Sequence, residues 1–287
     1  IGAASVVAFS LSWLTRCFGS LFDAMEALFS KRSDRLALPR ELAPTARALS
    51  DVRRARDDAE QAALAAEQRK NELVAYLAHD IRTPLTSLNG YFRLLEESED
   101  PKERARYLSV IEERINSLKE MLEELFTYTK LKNETYVLEM EPLYLNRIVT
   151  ETVFSYYDVW MEKGIEPEID FSEEQMKIEG NAAGLRRTLQ NIIKNGMDHG
   201  TGKMRITLKR QDQWAVVECI NYVEHPEEIE VEKVFERFYK ADEARSRTSS
   251  GLGLSIAKAF TGYMNGEIRA LLQGNWFSIC LRFPILS

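Results

Sequence analysis

Two stretches of apolar residues at helical spacing, separated by a proline, constrain the fold of this chain more than any other feature. Apolar residues recur every three or four positions from Leu73 to Leu95 and again from Leu108 to Thr129. This spacing aligns them along one face of a helix, and Pro101 marks the break between the two helices. The pattern predicts a helical hairpin. A lone hairpin has little core to bury, so we expect two chains to pair as a homodimeric four-helix bundle.

After about Asn133 the pattern changes to short apolar runs mixed with helices. The predicted strands are 136–140, 204–209, 214–220 and 277–283, and the predicted helices are 145–161, 182–198 and 254–264. We therefore expect an α/β domain in which a mixed sheet carries helices on one face.

Composition excludes several classes of function. The net charge of -7 comes from 45 acidic and 38 basic residues, which argues against a nucleic-acid partner. Cys17, Cys219 and Cys280 stand alone without C-x-x-C spacing, so neither a disulfide framework nor a zinc site is indicated. We expect these three residues to be reduced cytosolic thiols.

The first 14 residues are almost wholly apolar or small, and Arg16 follows them. A membrane-spanning helix needs about 20 apolar residues. Because the chain begins with Ile1, we interpret residues 1–14 as the inner end of a membrane helix, with Arg16 on the cytoplasmic side. The alternative is a buried amphipathic helix over 6–29.

Residues 15–68 combine a short helical pattern, a connector with two prolines, and a charged, alanine-rich helix from about Ala46. This layout resembles a HAMP-type signalling linker followed by a signalling helix. A solvated coiled-coil spacer with no switching role explains the same pattern.

His79 lies within the first amphipathic helix but outside its apolar stripe, so we expect it to be exposed. Asp80 adjoins it, and Thr83 shares its helical face four residues later. Pro84 interrupts the helical hydrogen bonding just beyond them. The loss of stability from this interrupted hydrogen bond is more readily understood at a functional site than in a plain surface helix.

The segment A-H-D-I-R-T-P-L-T at 78–86 closely resembles the phospho-acceptor motif of sensor histidine kinases, and 70–95 is similar to their vancomycin-resistance subgroup. The resemblance implies that His79 is the nucleophile that attacks the γ-phosphorus of ATP. It implies that Asp80 orients the other ring nitrogen and raises its basicity. Thr83 would position water for dephosphorylation of the partner.

The segment L-Q-N-I-I-K-N-G at 189–196 places Asn191 and Asn195 on one face of a predicted helix. The segment resembles the N-box of the GHKL ATPase family. This likeness implies that Asn195 is a Mg²⁺ ligand and that Asn191 and Lys194 contact the nucleotide. The alternative is an ordinary polar helix face.

The segments F-E-R-F-Y at 235–239 and G-L-G-L at 251–254 resemble the F-box and the glycine-rich box of the same family. The likeness implies that Phe238 packs the lid and that Gly251, Leu252 and Gly253 cradle phosphate at a helix start. The residues between the two segments would form a mobile lid over ATP.

One family element is altered. Where these ATPases show D-x-G-x-G, this chain has C-I-N-Y-V at 219–223, and Asn221 occupies the place of the aspartate that contacts the adenine amino group. The amide oxygen is a neutral acceptor. We expect it to weaken nucleotide binding by ~1 kcal/mol.

Taken together, the resemblance implies a dimerisation and phosphotransfer domain at 69–132 and an α/β sandwich ATP-binding domain of the GHKL (Bergerat) type at 133–287. The implied ligands are ATP and Mg²⁺, and the implied partners are a second copy of the chain and a response regulator. The protein would lie at the bacterial inner membrane with these domains in the cytoplasm. The alternatives are a phosphatase-dominant enzyme and a degenerate kinase that acts as a dimeric interaction module.

Overall fold

The computed structural model describes residues 43–133, 136–241 and 250–286, together with residues 12, 13, 15, 16, 18 and 19. Most of the predicted membrane segment at 1–14 and the connector that follows it therefore lie outside the described residues. Among the helices that are described, none combines the length and apolarity needed to cross a membrane. The chain divides into two compact units, 1–78 and 79–287.

Most of the described part of the first unit is the N-terminal portion of a long helix, α1 (Ala43–Glu97). Most described side chains between 51 and 68 are exposed. The helix is continuous because alanine, glutamate, glutamine and arginine favour helix without tertiary support. Arg53 and Asp57, one turn apart, add an ion pair at 3.8 Å. The prediction of an uninterrupted helix from about Ala46 is confirmed.

In the second unit, α1 ends and a short turn leads into α2 (Pro101–Leu131). Asp100 caps α2, because its side chain accepts a hydrogen bond from the Lys102 amide at 2.9 Å. Pro101 takes the first helical position, where a missing N–H costs nothing. Arg104 reaches back across the turn and donates to the Leu95 carbonyl at 2.5 Å. The predicted helical hairpin is confirmed.

The remaining elements form an α/β domain. In chain order they are β1 (Glu141–Tyr144), α3 (Leu145–Phe154), α4 (Tyr157–Lys163), β2 (Glu168–Phe171), β3 (Lys177–Gly180), α5 (Ala182–His199), β4 (Met204–Gln211), β5 (Trp214–Tyr222), α6 (Gly253–Tyr263), β6 (Glu267–Gln273) and β7 (Trp276–Pro284). Within the described residues, one sheet has the order β2-β4-β5-β7-β6, and β1 pairs with β3 in a separate ribbon. Only the β2–β4 pair of the larger sheet is parallel, so the predicted mixed sheet is confirmed.

The two faces of the larger sheet differ in polarity. On the inner face, Ala215, Val217 and Cys219 of β5 are buried, and α5 and α6 pack against β5 and β6. On the outer face, polar side chains form ion pairs such as Arg205–Glu168 at 2.8 Å. Helices therefore cover one face, as predicted. Burial raises the pKa of the Cys219 thiol to about 12, which keeps it protonated and unreactive.

Three sequence predictions are corrected. Residues 136–140 are irregular, and the first strand is β1 instead. The Tyr136 ring packs edge-on against Tyr263 of α6 rather than joining a ladder, with centroids 6.4 Å apart. The helix predicted at 145–161 is two helices, because the chain turns at Ser155, whose hydroxyl donates to the Thr152 carbonyl. Sequence analysis also missed β2, β3 and β6, the first two of which have only four residues each.

Gly266, in the turn between α6 and β6, lies close against β7 and provides a test of this packing. A Cβ at Gly266 would lie 2.7 Å from the Phe283 ring and 2.8 Å from the Arg282 carbonyl. We expect Gly266→Ala to destabilise the domain by about 1–3 kcal/mol, measured as a lower midpoint of thermal unfolding. Gly262→Ala is the matched control, since no atom lies within 4 Å of a Cβ added there within α6. We expect the control to stabilise the domain by ~0.5–1 kcal/mol. A wild-type midpoint for Gly266→Ala would contradict the packing.

Candidate functional site

A cavity of about 410 Å³ lies in the second unit, between α5, the start of α6, the segment after β5 and one face of α2. Its volume falls in the range of small-molecule sites. Five of the predicted nucleotide-binding residues line this cavity: Asn191, Lys194, Asn195, Gly251 and Gly253. Three others, Phe238, Leu252 and Asn221, do not line it but lie directly behind residues that do.

The glycine-rich segment opens α6 toward the cavity. Gly251 has a positive φ of 63°, and its carbonyl accepts a hydrogen bond of 2.9 Å from the amide of Phe238. Phe238 itself has a φ of 65°, which is strained for a residue other than glycine, and its hydrogen bond to Gly251 helps to hold this conformation. Leu252 is fully buried, and its amide donates to the Ser250 hydroxyl at 3.0 Å. Phe238 and Leu252 therefore shape the loop, while the N-terminus of α6 faces the cavity with its partial positive charge.

Asn191 and Asn195 lie one turn apart on α5, as predicted. The Asn191 side chain is 8% exposed and donates from Nδ2 to the Gly253 carbonyl at 2.8 Å. This bond joins α5 to the first residue of α6. Asn195 is less buried and lines the cavity one turn further along. Both residues therefore border the cavity, and the Asn191 amide also holds the start of α6.

Lys194 brings a positive charge to the cavity wall. Its Nζ lies 2.5 Å from Glu120 Oε2 of α2. Partial burial lowers the pKa of Lys194, but the hydrogen bond and charge of Glu120, with the charges of Glu124 and Asp198, raise it more. The pKa of Lys194 therefore lies above its ordinary value, and the side chain is charged at neutral pH.

Sequence analysis missed the contribution of α2. Glu120 and Glu124, one turn apart, both border the cavity, and Glu124 accepts a hydrogen bond from the Ser250 hydroxyl. Nothing in the local sequence distinguished these residues from the solvated face of an amphipathic helix. Only the packing of the α/β domain against α2 places their carboxylates beside Lys194 and the glycine-rich segment.

The phospho-acceptor segment lies on α1 within the second unit. Asp80 Oδ2 is 3.2 Å from Lys240 Nζ, and these side chains are only 12% and 13% exposed. Lys240 also lines the cavity and is the first residue of the predicted lid, of which 242–249 lie outside the described residues. Thr83 is exposed. The backbone of His79 is helical, but its side chain lies outside the described part of the structure, so its exposure stays a prediction.

The comparisons with known proteins agree with this arrangement. Residues 69–134 match the His Kinase A (phospho-acceptor) domain, and residues 180–285 match the histidine kinase-, DNA gyrase B- and HSP90-like ATPase family. The chain is 28% identical over 282 residues to the sensor protein VanS of Enterococcus faecium, covering 96% of this chain and 73% of that protein. It is 30% identical over 210 residues to the sensor histidine kinase YcbM of Bacillus subtilis, covering 70% of this chain and 67% of that protein.

A solved structure supports the fold. The histidine kinase ThkA, solved in complex with the response regulator protein TrrA, superposes with a TM-score of 0.60 at 22% identity, over 75% of this chain and 61% of that chain. The helical hairpin and the α/β domain described above are therefore the two parts of one known fold. The chain belongs to the sensor histidine kinases of two-component systems and is a protein-histidine kinase.

Proposed function

We propose that the cavity binds MgATP, that the γ-phosphoryl group passes to His79, and that an aspartate of a response regulator then receives it. The observation that carries this proposal is the contact between Lys240, at the edge of the cavity, and Asp80, the neighbour of His79. This ion pair links the cavity to the phospho-acceptor segment within one compact unit.

The phosphates belong at the start of α6. Gly251 and Gly253 have no side chains to block an approaching phosphate, and amides at a helix N-terminus favour anions. Lys194 adds a full positive charge on the same side of the cavity. In this proposal Leu252 contributes only through the backbone of the loop, since its side chain is buried. Phe238 supports the loop from behind.

Mg²⁺ fits this site as an ion held mainly by phosphate and water. Among the described residues, no group of three His, Cys, Asp or Glu side chains could hold a metal ion. Asn195 offers a neutral amide oxygen at the cavity wall, which suits a hard cation that keeps most of its waters. When bound, Mg²⁺ neutralises charge on the β- and γ-phosphates. Asn191 supports the site indirectly by holding the start of α6.

The transfer step is a displacement at phosphorus. A ring nitrogen of neutral His79 forms the N–P bond as the bond from the γ-phosphorus to the β–γ bridging oxygen breaks, and ADP leaves. Asp80 accepts a hydrogen bond from the other ring nitrogen and stabilises the positive charge that develops there. Lys240 holds the Asp80 carboxylate at the cavity edge. We propose Thr83, exposed one turn after His79, for the reverse duty of positioning water at the phosphorylated regulator.

A second copy of the chain would complete the hairpin. Between residues 85 and 126 of the hairpin, seven large apolar side chains are 43% to 69% exposed, a range set by Leu94 and Phe126. The predicted stripes contribute the other five: Leu85, Phe92, Leu108, Ile115 and Leu122. A monomer seldom leaves such a stripe in water. We propose a homodimeric four-helix bundle built from 69–132, with 133–287 as its ATP-binding domain. Residues 1–14 would anchor the protein at the bacterial inner membrane, and 15–68 would link that anchor to the cytoplasmic domains.

The proposed acceptor is tested by incubating the purified chain with MgATP labelled at the γ-phosphate. We expect acid-labile, alkali-stable label on the wild type and background label on His79→Gln, because the amide is not a nucleophile. The variant should keep the wild-type thermal midpoint and nucleotide affinity, which excludes a folding defect. Equal labelling of both proteins would refute the assignment of His79.

The proposed phosphate loop is tested at Gly251. A Cβ at this position would meet the Phe238 Cα at 2.8 Å while φ stays positive, so the loop must shift. We expect Gly251→Ala to weaken MgATP binding by at least ~10-fold, measured as the dissociation constant. Gly274→Ala is the control, because Gly274 has a similar φ of 58° in the β6–β7 turn with no atom within 4 Å of an added Cβ. The control should lose some stability and keep its affinity for MgATP. A loss of affinity in both variants would contradict a local role for Gly251.

The position of Glu120 on α2 predicts that removing its charge increases the affinity for MgATP. Glu120 stands beside Lys194, where it competes with a phosphate for the ammonium group. We expect Glu120→Gln to tighten MgATP binding about 2- to 5-fold, a modest effect because the pair is partly exposed. Glu123→Gln, on the same helix but away from the cavity, should leave the dissociation constant unchanged. Weaker binding by Glu120→Gln would show that the carboxylate supports the site.

A further inference from the structure

The side chain of Asn221 is a buried amide with an unsatisfied donor. It is 3% exposed, and its Nδ2 has no hydrogen-bond partner among the described residues. Asn221 lies near the end of β5 on the inner face of the sheet, where its neighbours across the strands are Met204 and Phe277. Neither neighbour offers a side-chain acceptor of useful strength. A buried N–H without a partner is costly and rare in folded proteins, so this one calls for an explanation.

The amide does not itself line the cavity, but it lies next to residues that do. Two glycines face the Asn221 amide, one within α5 and one directly after its C-terminal end. A Cβ at Gly196 would lie 3.5 Å from Oδ1, and a Cβ at Gly200 would lie 3.2 Å from Nδ2. Gly200 and Phe277 both line the cavity, and so does Val223, two residues beyond Asn221. The amide nitrogen therefore lies among residues that border the cavity.

The cavity has two chemically different ends. Lys194 and the glycine-rich start of α6 form the end suited to phosphates. The wall near Asn221 includes the apolar side chains of Val223, Val234 and Phe277. A nucleotide would place its flat base against apolar groups and its phosphates at the helix start. The group that the Asn221 amide meets is then an edge of the base.

A carboxamide and a carboxylate recognise that edge differently. An ionised carboxylate only accepts hydrogen bonds. A carboxamide has nearly the same shape as a carboxylate, but it carries one acceptor oxygen and two N–H donors. Adenine presents an amino donor at position 6 beside an acceptor ring nitrogen. Hypoxanthine and guanine present the opposite pattern, a carbonyl acceptor beside a ring N–H. Rotating an amide by half a turn matches either pattern.

We infer that Asn221 pairs with the six-position edge of a purine in either hydrogen-bonding sense, so that 6-oxopurine nucleoside triphosphates share this site with ATP. The inference rests on the proposed nucleotide-binding function of the cavity. In either orientation of the amide, Nδ2 donates a hydrogen bond to an acceptor of the base, and Oδ1 accepts one from an N–H of the base. The ligand therefore satisfies the donor that the folded chain leaves unpaired.

The experiment compares two probes that share the ribose, the triphosphate and the 2-position of the base. Dissociation constants of MgATP and of magnesium inosine triphosphate are measured with the full chain by equilibrium binding. We expect the constant for inosine triphosphate to lie within about tenfold of that for ATP, because both bases offer the amide two complementary groups. A preference for ATP beyond about tenfold would overturn the inference.

Asn221→Asp tests whether this residue is the cause. Its carboxylate would repel the 6-oxo group while still accepting from the amino group of adenine, so the preference for ATP should rise by at least ~10-fold. An unchanged ratio in a variant with a wild-type thermal midpoint would overturn the role of Asn221. The ratio of the two dissociation constants is measured on the wild-type chain. The first test therefore remains valid even if Asn221→Asp does not fold.

The two levels of the proposal fail in different ways. If MgATP does not bind the chain, the proposed function of the cavity fails and this inference fails with it. If MgATP binds and labels His79 but inosine triphosphate is excluded, the proposed function stands and only the inference about Asn221 is wrong.

Discussion

The side-by-side packing of α5 and α6 on the inner face of the sheet is the constraint on which the site depends. The sheet presents apolar side chains on that face, and the two helices must cover them to remove them from water. Gly184 of α5 allows the Phe260 ring of α6 to approach closely, since a Cβ there would lie 2.8 Å from it. The Asn191–Gly253 hydrogen bond then sets where α6 begins. Because the cavity lies at this junction, the packing of the core sets the positions of the α5 and α6 residues that border it.

The strain in the glycine-rich segment is held by the same packing. Phe238 adopts a positive φ although it is not glycine, and its amide bonds to Gly251, which is also left-handed. Phe238 would not keep this conformation in an isolated peptide, because the left-handed region costs free energy for a residue with a side chain, whereas Gly251 adopts it readily. The buried Leu252 side chain between Gly251 and Gly253 anchors the loop in the core. A rigid loop suits phosphate binding, since its amides need no reordering when a ligand arrives.

The lysines that would attract a phosphate at the cavity are already paired with carboxylates. Lys194 and Lys240 bring positive charge, yet each already contacts a carboxylate of the hairpin helices, Glu120 or Asp80. A polyphosphate would compete with Glu120 for the ammonium group of Lys194. Nucleotide binding and the docking of the α/β domain on α2 are therefore opposed at this contact. The same geometry connects Lys240 to the proposed phospho-acceptor, because its carboxylate partner, Asp80, adjoins His79.

The architecture and the family of this protein were predictable from sequence, because long periodic signals and ordered motifs survive without knowledge of contacts. The apolar repeats predicted the hairpin, and the glycine-rich segment predicted the start of α6 within one residue. Short elements were less predictable: β2 and β3 have four residues each, too few to show a period, and the Tyr136 segment packs against α6 although its composition favours a strand.

The sequence by itself determined which residues are the candidates for the chemistry, since His79 with Asp80, the paired asparagines and the two glycines are local patterns. Only the tertiary structure decided how they are used. It placed the Asn191 amide on the backbone of Gly253, brought Glu120 and Glu124 to the cavity from a helix whose polar face looked ordinary, and buried Asn221 with an unpaired donor. The physical reason is that a hydrogen bond or an ion pair depends on distances between residues far apart in the chain, and packing alone sets those distances.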